Sequence, residues 1–523
     1  MASPLRLTRP VSQAARAGAF SFASRPFHSS SVRLAVTEIK TTKEFKDLVS
    51  STPKAVLVDC FATWCGPCKA ISPILSKLSE EPALSEDIEF VKFDVDELPE
   101  LTAELGVRAM PTFFVFKGGE KVDEMVGADP QGKPPHSSQN ATPNAGFTMF
   151  NLGSEREIKI KMADTIVVVG AGVSGLTSAY LLSKQNKGNK ITVVSKHMPG
   201  DYDIEYASPF AGANICPMAT RDSSRWERRT WIEFKRLCQE VPEAGIHFQK
   251  CHIQRRKKDA EEAKKSTFPD ALFLEEPWYK EIFEDYREQN PSELTPGYDS
   301  GCEFTSVCIN TAIYLPWLAG QCLKNGVVLK RAVLTDIGDA KNLSHTGKAA
   351  NIIVNATGLG SLKLGGVEDT TMAPARGQIV LVRNEATPML ITSGVEDGGA
   401  DVMYLMQRAA GGGTILGGTY DIGNWESQPD PNIAARIMQR IVAARPEIAG
   451  GKGVKGLSII RHAVGLRPWR RDGLRLEEEK MDDETWIVHN YGHSGWGYQG
   501  SYGCAEGVVE LVDKVGKGAM PKL

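Results

Sequence analysis

Neither sign of charge dominates this chain of 523 residues: 61 Lys and Arg face 64 Asp and Glu, for a formal net charge of −3. Such a balance offers no general attraction for nucleic acid or an acidic membrane. Closely spaced cysteines are scarce too. Of the ten cysteines only Cys65 and Cys68 stand near each other, which argues against a secreted disulfide framework and for a reducing compartment. No second C-x-x-C and no H-x-x-H accompanies them, so a zinc site would lack half its ligands. The other eight, including Cys216, Cys302 and Cys504, read as small, mostly buried hydrophobes. Acidic residues are missing from Met1 to Leu34, where Arg6, Arg9, Arg16, Arg25 and Arg33 stand among Ser and Ala. Residues 1–35 therefore read as an unfolded mitochondrial presequence, with Arg25 to Arg33 as its processing region. At the other end Pro521-Lys522-Leu523 spells a weak peroxisomal tripeptide with Pro where Ser belongs. The two addresses, peroxisome and mitochondrial matrix, conflict.

What is present is the composition of a globular protein, 41% hydrophobic and 24% charged, long enough for two or three domains. From Val36 to Val126 the pattern is α/β. Thr42 should cap a helix to about Ser50, and Ala55–Ala62 and Ile88–Asp94 read as strands. Thr112–Lys117 and Glu120–Val126 should form a hairpin about Gly118-Gly119. Trp64-Cys-Gly-Pro-Cys68 falls at a strand-to-helix junction. A thiolate at a helix N-terminus is favoured by the dipole, so Cys65 is the expected nucleophile and Cys68 the resolving thiol. These residues resemble the thioredoxin family over about ninety positions. The resemblance gives Asp59 the place of the buried proton acceptor and Met110-Pro111-Thr112 that of the cis-proline segment. It implies a disulfide-bearing protein partner. The family's last helix is replaced by proline-rich sequence without apolar period, so one sheet face is expected to be bare. Residues 36–127 form this domain, and 128–161 read as an unfolded linker. Asn140-Ala-Thr142 spells a glycosylation sequon without a secretory context.

The stretch Thr165 to Leu182 organises the rest. Ile166–Val169 read as a buried parallel strand, Gly170-Ala171-Gly172-Val173-Ser174-Gly175 as a turn, and Leu176, Ala179, Tyr180 and Leu182 as a helix face. Strand, glycine turn and helix are the context a dinucleotide fingerprint needs. Gly170 permits the turn, Gly172 lets the backbone approach a pyrophosphate, and Gly175 lets helix and strand pack closely, with first-turn amides facing the phosphates. The clustered glycines and the change of period argue against a membrane span. The next strand, Lys190–Ser195, ends where an acidic residue would meet a ribose. Ser195 is a weaker substitute and Lys196 would suit a 2′-phosphate, so FAD, NAD and NADP all stay open at this point.

Far along the chain, Ile487 to Ala505 carries glycines at 492, 495, 497 and 503 ahead of an apolar helix to Val512. This run resembles the signature of the D-amino-acid oxidase family, and the resemblance covers residues 163–523. It implies FAD as cofactor and a Rossmann-type α/β domain with an α+β substrate domain of antiparallel sheet. Ser208, Ala211, Gly212 and Asn214, in Ala207–Asn214, match the segment beneath the flavin, and Asn355–Gly358 a second flavin-proximal strand end. Val333, on the strand before Asp336, matches the position whose backbone meets the adenine. Gly497, Tyr498 and Gln499 belong to the flavin edge.

The substrate site can also be argued chemically. An amino-acid oxidase must hold a carboxylate rigidly, and the planar fork of arginine does so. Arg467, just before a proline and so on extended backbone, matches the carboxylate-binding arginine. Tyr404 matches the tyrosine that shares the carboxylate, and Gly495 the carbonyl that receives the amine. Arg470, Arg471 and Arg475 read as solvated charges. Tyr420 stands where D-aspartate oxidases carry an extra arginine, which favours neutral D-amino acids, while Arg408 keeps the acidic substrate open. The mixed-charge run Arg255–Lys265 reads as a solvated helix.

The resemblance implies a small-molecule D-amino acid and oxygen as reactants; a homodimer is a further expectation, and neither nucleic acid nor a membrane is expected as a partner. A disulfide reductase passing flavin electrons to Cys65 and Cys68 is the competing class, against which stands the lack of a second glycine fingerprint. Met162-Ala-Asp164 sits where an oxidase would start, so two proteins joined in one reading is a further expectation.

Overall fold

The computed structural model describes residues 36–80, 88–126, 147–151, 157–161, 164–185, 187–259, 271–273, 276–396, 400–482 and 485–517. The presequence-like segment, the sequon, the site of the thioredoxin family's last helix and the C-terminal tripeptide lie outside them. Chain contacts define two units, Met1–Ala128 with Phe150–Arg156 and Asp129–Met149 with Glu157–Leu523.

In the first unit β1 (Thr37–Glu38), β2 (Ala55–Phe61), β3 (Ile88–Asp94), β4 (Thr112–Lys117) and β5 (Glu120–Val126) form a sheet in the order β1-β3-β2-β4-β5. β2 runs parallel to β3 and antiparallel to β4. Helices α1 (Thr42–Ser51), α2 (Gly66–Ser79) and α3 (Pro99–Leu105) complete it. Thr41, not Thr42, caps α1: its hydroxyl accepts from Glu44 N at 3.1 Å. The extended backbone of Thr41, just outside the helix, lets its side chain turn back to an orphan amide of the first turn, which helical backbone at Thr42 does not. Helix α3 was not foreseen, although Pro99 opens it and Gly106, left-handed at φ 73°, closes it. The expected bare sheet face is not seen. Register pairs Leu57 with Val115 and Asp59 with Phe113, on the face opposite Val58 and Phe114, and all six are buried.

Within the expected linker, β6 (Phe147–Asn151) and β7 (Glu157–Lys161) pair as a two-stranded sheet, so that segment is not wholly without structure. The alternation of Ile158 and Ile160 with charged residues is the strand signal that the nearby prolines outweighed.

The second unit carries two sheets. One has β8 (Thr165–Val169), β9 (Lys190–Ser195), β13 (Val328–Arg331), β14 (Ile352–Asn355), β21 (Arg475–Lys480) and β22 (Trp486–Tyr491) in the order β13-β9-β8-β14-β22-β21, parallel except for β21. β8 is central and wholly buried, as an uninterrupted apolar run requires. Helix α4 (Val173–Lys184) follows it, buried along most of its length and packed on α6 (Thr311–Lys324) and α8 (Ser501–Lys517).

The other sheet takes β10 (Ile246–Arg255), β11 (Arg287–Glu288), β12 (Ser300–Ile309), β15 (Met372–Val382), β16 (Met389–Thr392), β17 (Asp401–Gln407), β18 (Thr414–Thr419), β19 (Asp421–Ile422) and β20 (Ile459–Arg470). Its pairs are antiparallel apart from β10 with β16. Helices α5 (Arg225–Glu240) and α7 (Pro431–Ala444) complete the unit.

Three charge readings change. The run from Arg255 starts on β10, and Arg256 is buried against Asp259 and Glu396 instead of solvated; residues 260–265 lie outside the described residues. Arg470 pairs with Asp369, and Arg475 with Glu477 and Glu479, because each lies on a strand beside those acids. Among the described residues no helix is long and apolar enough to cross a membrane.

Candidate active site

Five parallel strands end on one edge of the Rossmann-type sheet, the side on which ligands of open α/β sheets bind. Gly170, Ser195, Ala356 and the Gly492 loop follow those ends and lead into a cavity of about 1430 Å³. Its walls include Gly170, Ala171, Gly172, Val173, Ser174, Ser195, Ser208, Ala211, Gly212, Asn214, Val333, Tyr404, Arg467, Gly495, Gly497, Tyr498 and Gln499. Segments more than three hundred residues apart in the chain are thus brought together. Gly175 does not line it. A Cβ there would lie 1.9 Å from the Gly170 carbonyl oxygen, so it serves the contact between helix and turn. Val333 sits at the exposed rim and not on a strand, since β13 ends at Arg331 and only the Ala332 amide still reaches Ser195 O.

At the glycine turn, Gly170 has φ +113°, and Gly172 caps α4 with only the Ser208 hydroxyl and the Tyr206 ring near its Cβ direction. Ser208 Oγ accepts from Val173 N at 3.1 Å, and Tyr206 donates to Ala171 O at 2.7 Å. The Nε2 of His493 is buried with no partner, and burial holds the ring neutral by lowering its pKa to about 4. A cradle bare of side chains and an orphaned ring nitrogen in the cavity wall fit a bound dinucleotide. Lys196 Nζ lies 3.3 Å from Glu205, whose carboxylate lines the same end; an acid there disfavours the 2′-phosphate that NADP would bring.

The antiparallel sheet supplies the other end. Register sets Tyr404 opposite Gly417 and Arg467 opposite Ala375, on a common face. Arg467 donates to Thr419 O at 3.0 Å and to the Tyr404 hydroxyl at 3.4 Å, with its guanidinium 5.2 Å from the centre of the Tyr420 ring. Its partners among the described residues are a carbonyl, a hydroxyl and an aromatic ring, and no acid. Two glycines make the room: a Cβ at Gly377 would lie 2.2 Å from Arg467 Nη1, and one at Gly417 would lie 2.0 Å from the Tyr404 ring. Gly495 faces Arg467 Cδ and Tyr420 Cε2, each 3.7 Å from its Cβ direction. The Tyr420 hydroxyl bonds Ser494 Oγ.

Gly377, Gly417, Ser494 and Glu205 complete the site without belonging to any of its motifs. Glycines inside buried strands mark a close approach, and that signal was present at the lone Gly377 and at the Gly417-Gly418 pair. Arg408 is buried and donates to the carbonyls of Pro209, Ala211 and Gly212, so it fastens the Ala207–Asn214 segment and does not face a substrate. Gln499 is held on both sides: its carbonyl accepts from Cys216 N at 2.9 Å and its amide donates to Glu227 at 3.0 Å. Burial pushes Glu227 up to about 7, although the Met218 and Ala219 amides also bond it.

In the first unit Cys65 and Cys68 form a disulfide, with Cys65 as the cap of α2 and its sulfur accepting from Cys68 N at 3.1 Å. Trp64 beside it is two-thirds exposed, and the Met110-Pro111 peptide is cis. Asp59 is buried on β2 with one carboxylate oxygen unpartnered, and burial raises its pKa to about 7 against the pull of Lys92.

The chain belongs to the family of FAD dependent oxidoreductases, whose family model matches residues 165–511; residues 36–133 match thioredoxin. FAD is accordingly the cofactor that the glycine cradle accommodates. Over 362 residues, 69% of this chain and all of the relative, it is 81% identical to a D-amino-acid oxidase of Fusarium vanettenii. A D-amino-acid oxidase of Schizosaccharomyces pombe is 34% identical over 367 residues, 68% of this chain and 97% of its own. The crystal structure of a glycine oxidase from Geobacillus kaustophilus shares the fold at a TM-score of 0.52 and 17% identity, covering 67% of this chain and 95% of that one.

Proposed function

We propose that the second unit oxidatively deaminates neutral D-amino acids to 2-oxo acids, releasing ammonia and hydrogen peroxide. The observation that carries this reading is Arg467, a guanidinium in a cavity wall with no acid among its described partners. A substrate carboxylate supplies the missing anion bidentately, and the Tyr404 hydroxyl donates to the same group. The amine, in its neutral form, donates to the Gly495 carbonyl, which leaves the Cα–H directed to one side. Bound FAD would supply the hydride acceptor at Cα and the route by which the electrons reach oxygen. No side-chain base is needed for that step, so this chain contributes position and exclusion of water. Gly170 and Gly172 would hold the pyrophosphate, and Gly497, Tyr498 and Gln499 the ring edge. Arg408, engaged by three carbonyls, leaves a second carboxylate unmatched, which supports neutral side chains over D-aspartate.

The first unit exchanges thiols and disulfides with a protein partner through Cys65 and Cys68. Bleaching of the bound flavin by D-alanine under nitrogen tests the main reading. Bleaching by NADPH and not by D-alanine would instead identify a flavin disulfide reductase.

A further inference from the structure

Behind the wall of the cavity lies a pair of thiols that the proposed reaction does not use. Cys216 and Cys251 have their sulfurs 3.4 Å apart. Cys216 lines the cavity, while Cys251, on β10, is wholly buried behind it. The pair is held from several sides. Asn214 donates an amide N–H to the Cys216 sulfur at 2.9 Å, and the Cys216 backbone amide donates to Gln499. Ser306 fixes the same segment through the carbonyl of Ile215, and β12 fastens β10 along its whole length. Burial raises the Cys251 thiol well above its usual range and keeps it protonated. A disulfide needs the sulfurs about 2.05 Å apart, so closure asks for a movement of little over an ångström.

We propose that Cys216 and Cys251 are a peroxide-sensitive disulfide site in the wall of the flavin cavity. The source of the oxidant rests on the oxidase reading above, because hydrogen peroxide is released into the cavity that Cys216 lines. Cys216 attacks one peroxide oxygen, forming an S–O bond as the O–O bond breaks, and one water leaves. The Cys251 sulfur then displaces the hydroxyl from the Cys216 sulfenic acid, and its proton departs with that hydroxyl as a second water. Two thiols lose two electrons and one peroxide gains them. Reopening takes two electrons from a dithiol small enough to enter the cavity. A closed bridge pulls on the residue that bonds Gln499, so the oxidised form should turn over more slowly.

The test uses the full-length holoenzyme in two arms, equimolar hydrogen peroxide under nitrogen and D-alanine turnover in air. Each is followed by alkylation and non-reducing peptide mapping. The expected product is a Cys216–Cys251 linked peptide, lighter by two hydrogens, that dithiothreitol reverses as activity returns. In Cys251→Ala a sulfenic acid at Cys216 should persist and be trapped by dimedone. Added peroxide that leaves both thiols alkylatable, or links Cys216 to Cys302 or Cys308, overturns the proposal. A bridge formed by added peroxide but not with D-alanine, where no peroxide accumulates, upholds the site and sinks the oxidase reading instead. Peroxide accumulating without a bridge does the reverse.

Discussion

Arg467 shows how a charge is kept in a cavity wall without an acid beside it. One N–H is satisfied by a carbonyl, and the remaining fork is left toward the cavity and Tyr404. Arg467→Ala should weaken the transition state by about 3–5 kcal/mol if the carboxylate pair is buried. In steady-state assays with D-alanine that is a fall in kcat/KM of about two to four orders of magnitude, at about 1.4 kcal/mol per tenfold. Unchanged kcat/KM would remove Arg467 from the site. Asp59 makes the opposite case, a carboxyl raised to about 7 by burial. Between its ordinary 3.8 and about 7 the folded unit holds a proton that the unfolded chain has released, so stability falls as pH rises through that window. Asp59→Asn should flatten that dependence and stabilise the first unit by a few kcal/mol at pH 8, read from thermal unfolding.

Elements differed in how plainly the sequence announced them. β3, β4, β5 and β9 begin and end where the alternation of apolar residues and the Gly118-Gly119 turn put them, because local pattern and tertiary burial agree there. α3 escaped notice because seven residues are too few to establish a helical period. The site was legible where chemistry needs a residue type, as at Arg467, Tyr404 and the glycine turn. Glu205 and Ser494 were not legible: their places depend on loops whose course no period encodes. The buried glycines are the instructive omission. Gly417→Ala would push a Cβ into the Tyr404 ring, and overpacking of this kind costs about 1–3 kcal/mol. Its expected signature is a raised KM for D-alanine with flavin content preserved. Gly175→Ala, driven into the Gly170 carbonyl, should instead lose FAD from the purified protein, as the absorbance of bound flavin would show.

Across the second unit opposing protonations set the pH profile. Burial lowers His489 and His493 from 6.5 to about 4, so below pH 6.5 the unfolded chain takes up two protons that the folded unit refuses. Stability falls as pH falls through that range. Glu227, raised from 4.5 to about 7, works against them, since the folded unit keeps its proton and loses stability as pH rises toward 7. Each proton tilts the curve by about 1.4 kcal/mol per pH unit, and two outweigh one. Maximum stability of this unit is expected near pH 6.5, with the alkaline limb flattened in Glu227→Gln; a maximum below pH 5 would contradict it. The 362 residues shared with the whole Fusarium relative lead to another expectation. A protein begun at Met162 should bind FAD and match the full chain in turnover with D-alanine, and Cys65→Ser with Cys68→Ser should leave that turnover unchanged.

β22 joins the sheet between β14 and β21, and the loop that follows it lines the cavity. Residues 486–491 therefore complete a sheet whose β8, β9, β13 and β14 were made more than a hundred residues earlier in the chain. While the chain is still on the ribosome, the free edge of β14 stays open until residues 486–491 have been made, whereas the five-stranded N-terminal sheet is already complete. A transcript truncated before Trp486 would yield a polypeptide with its N-terminal sheet complete and an apolar, unpaired edge on β14, a natural client for chaperones.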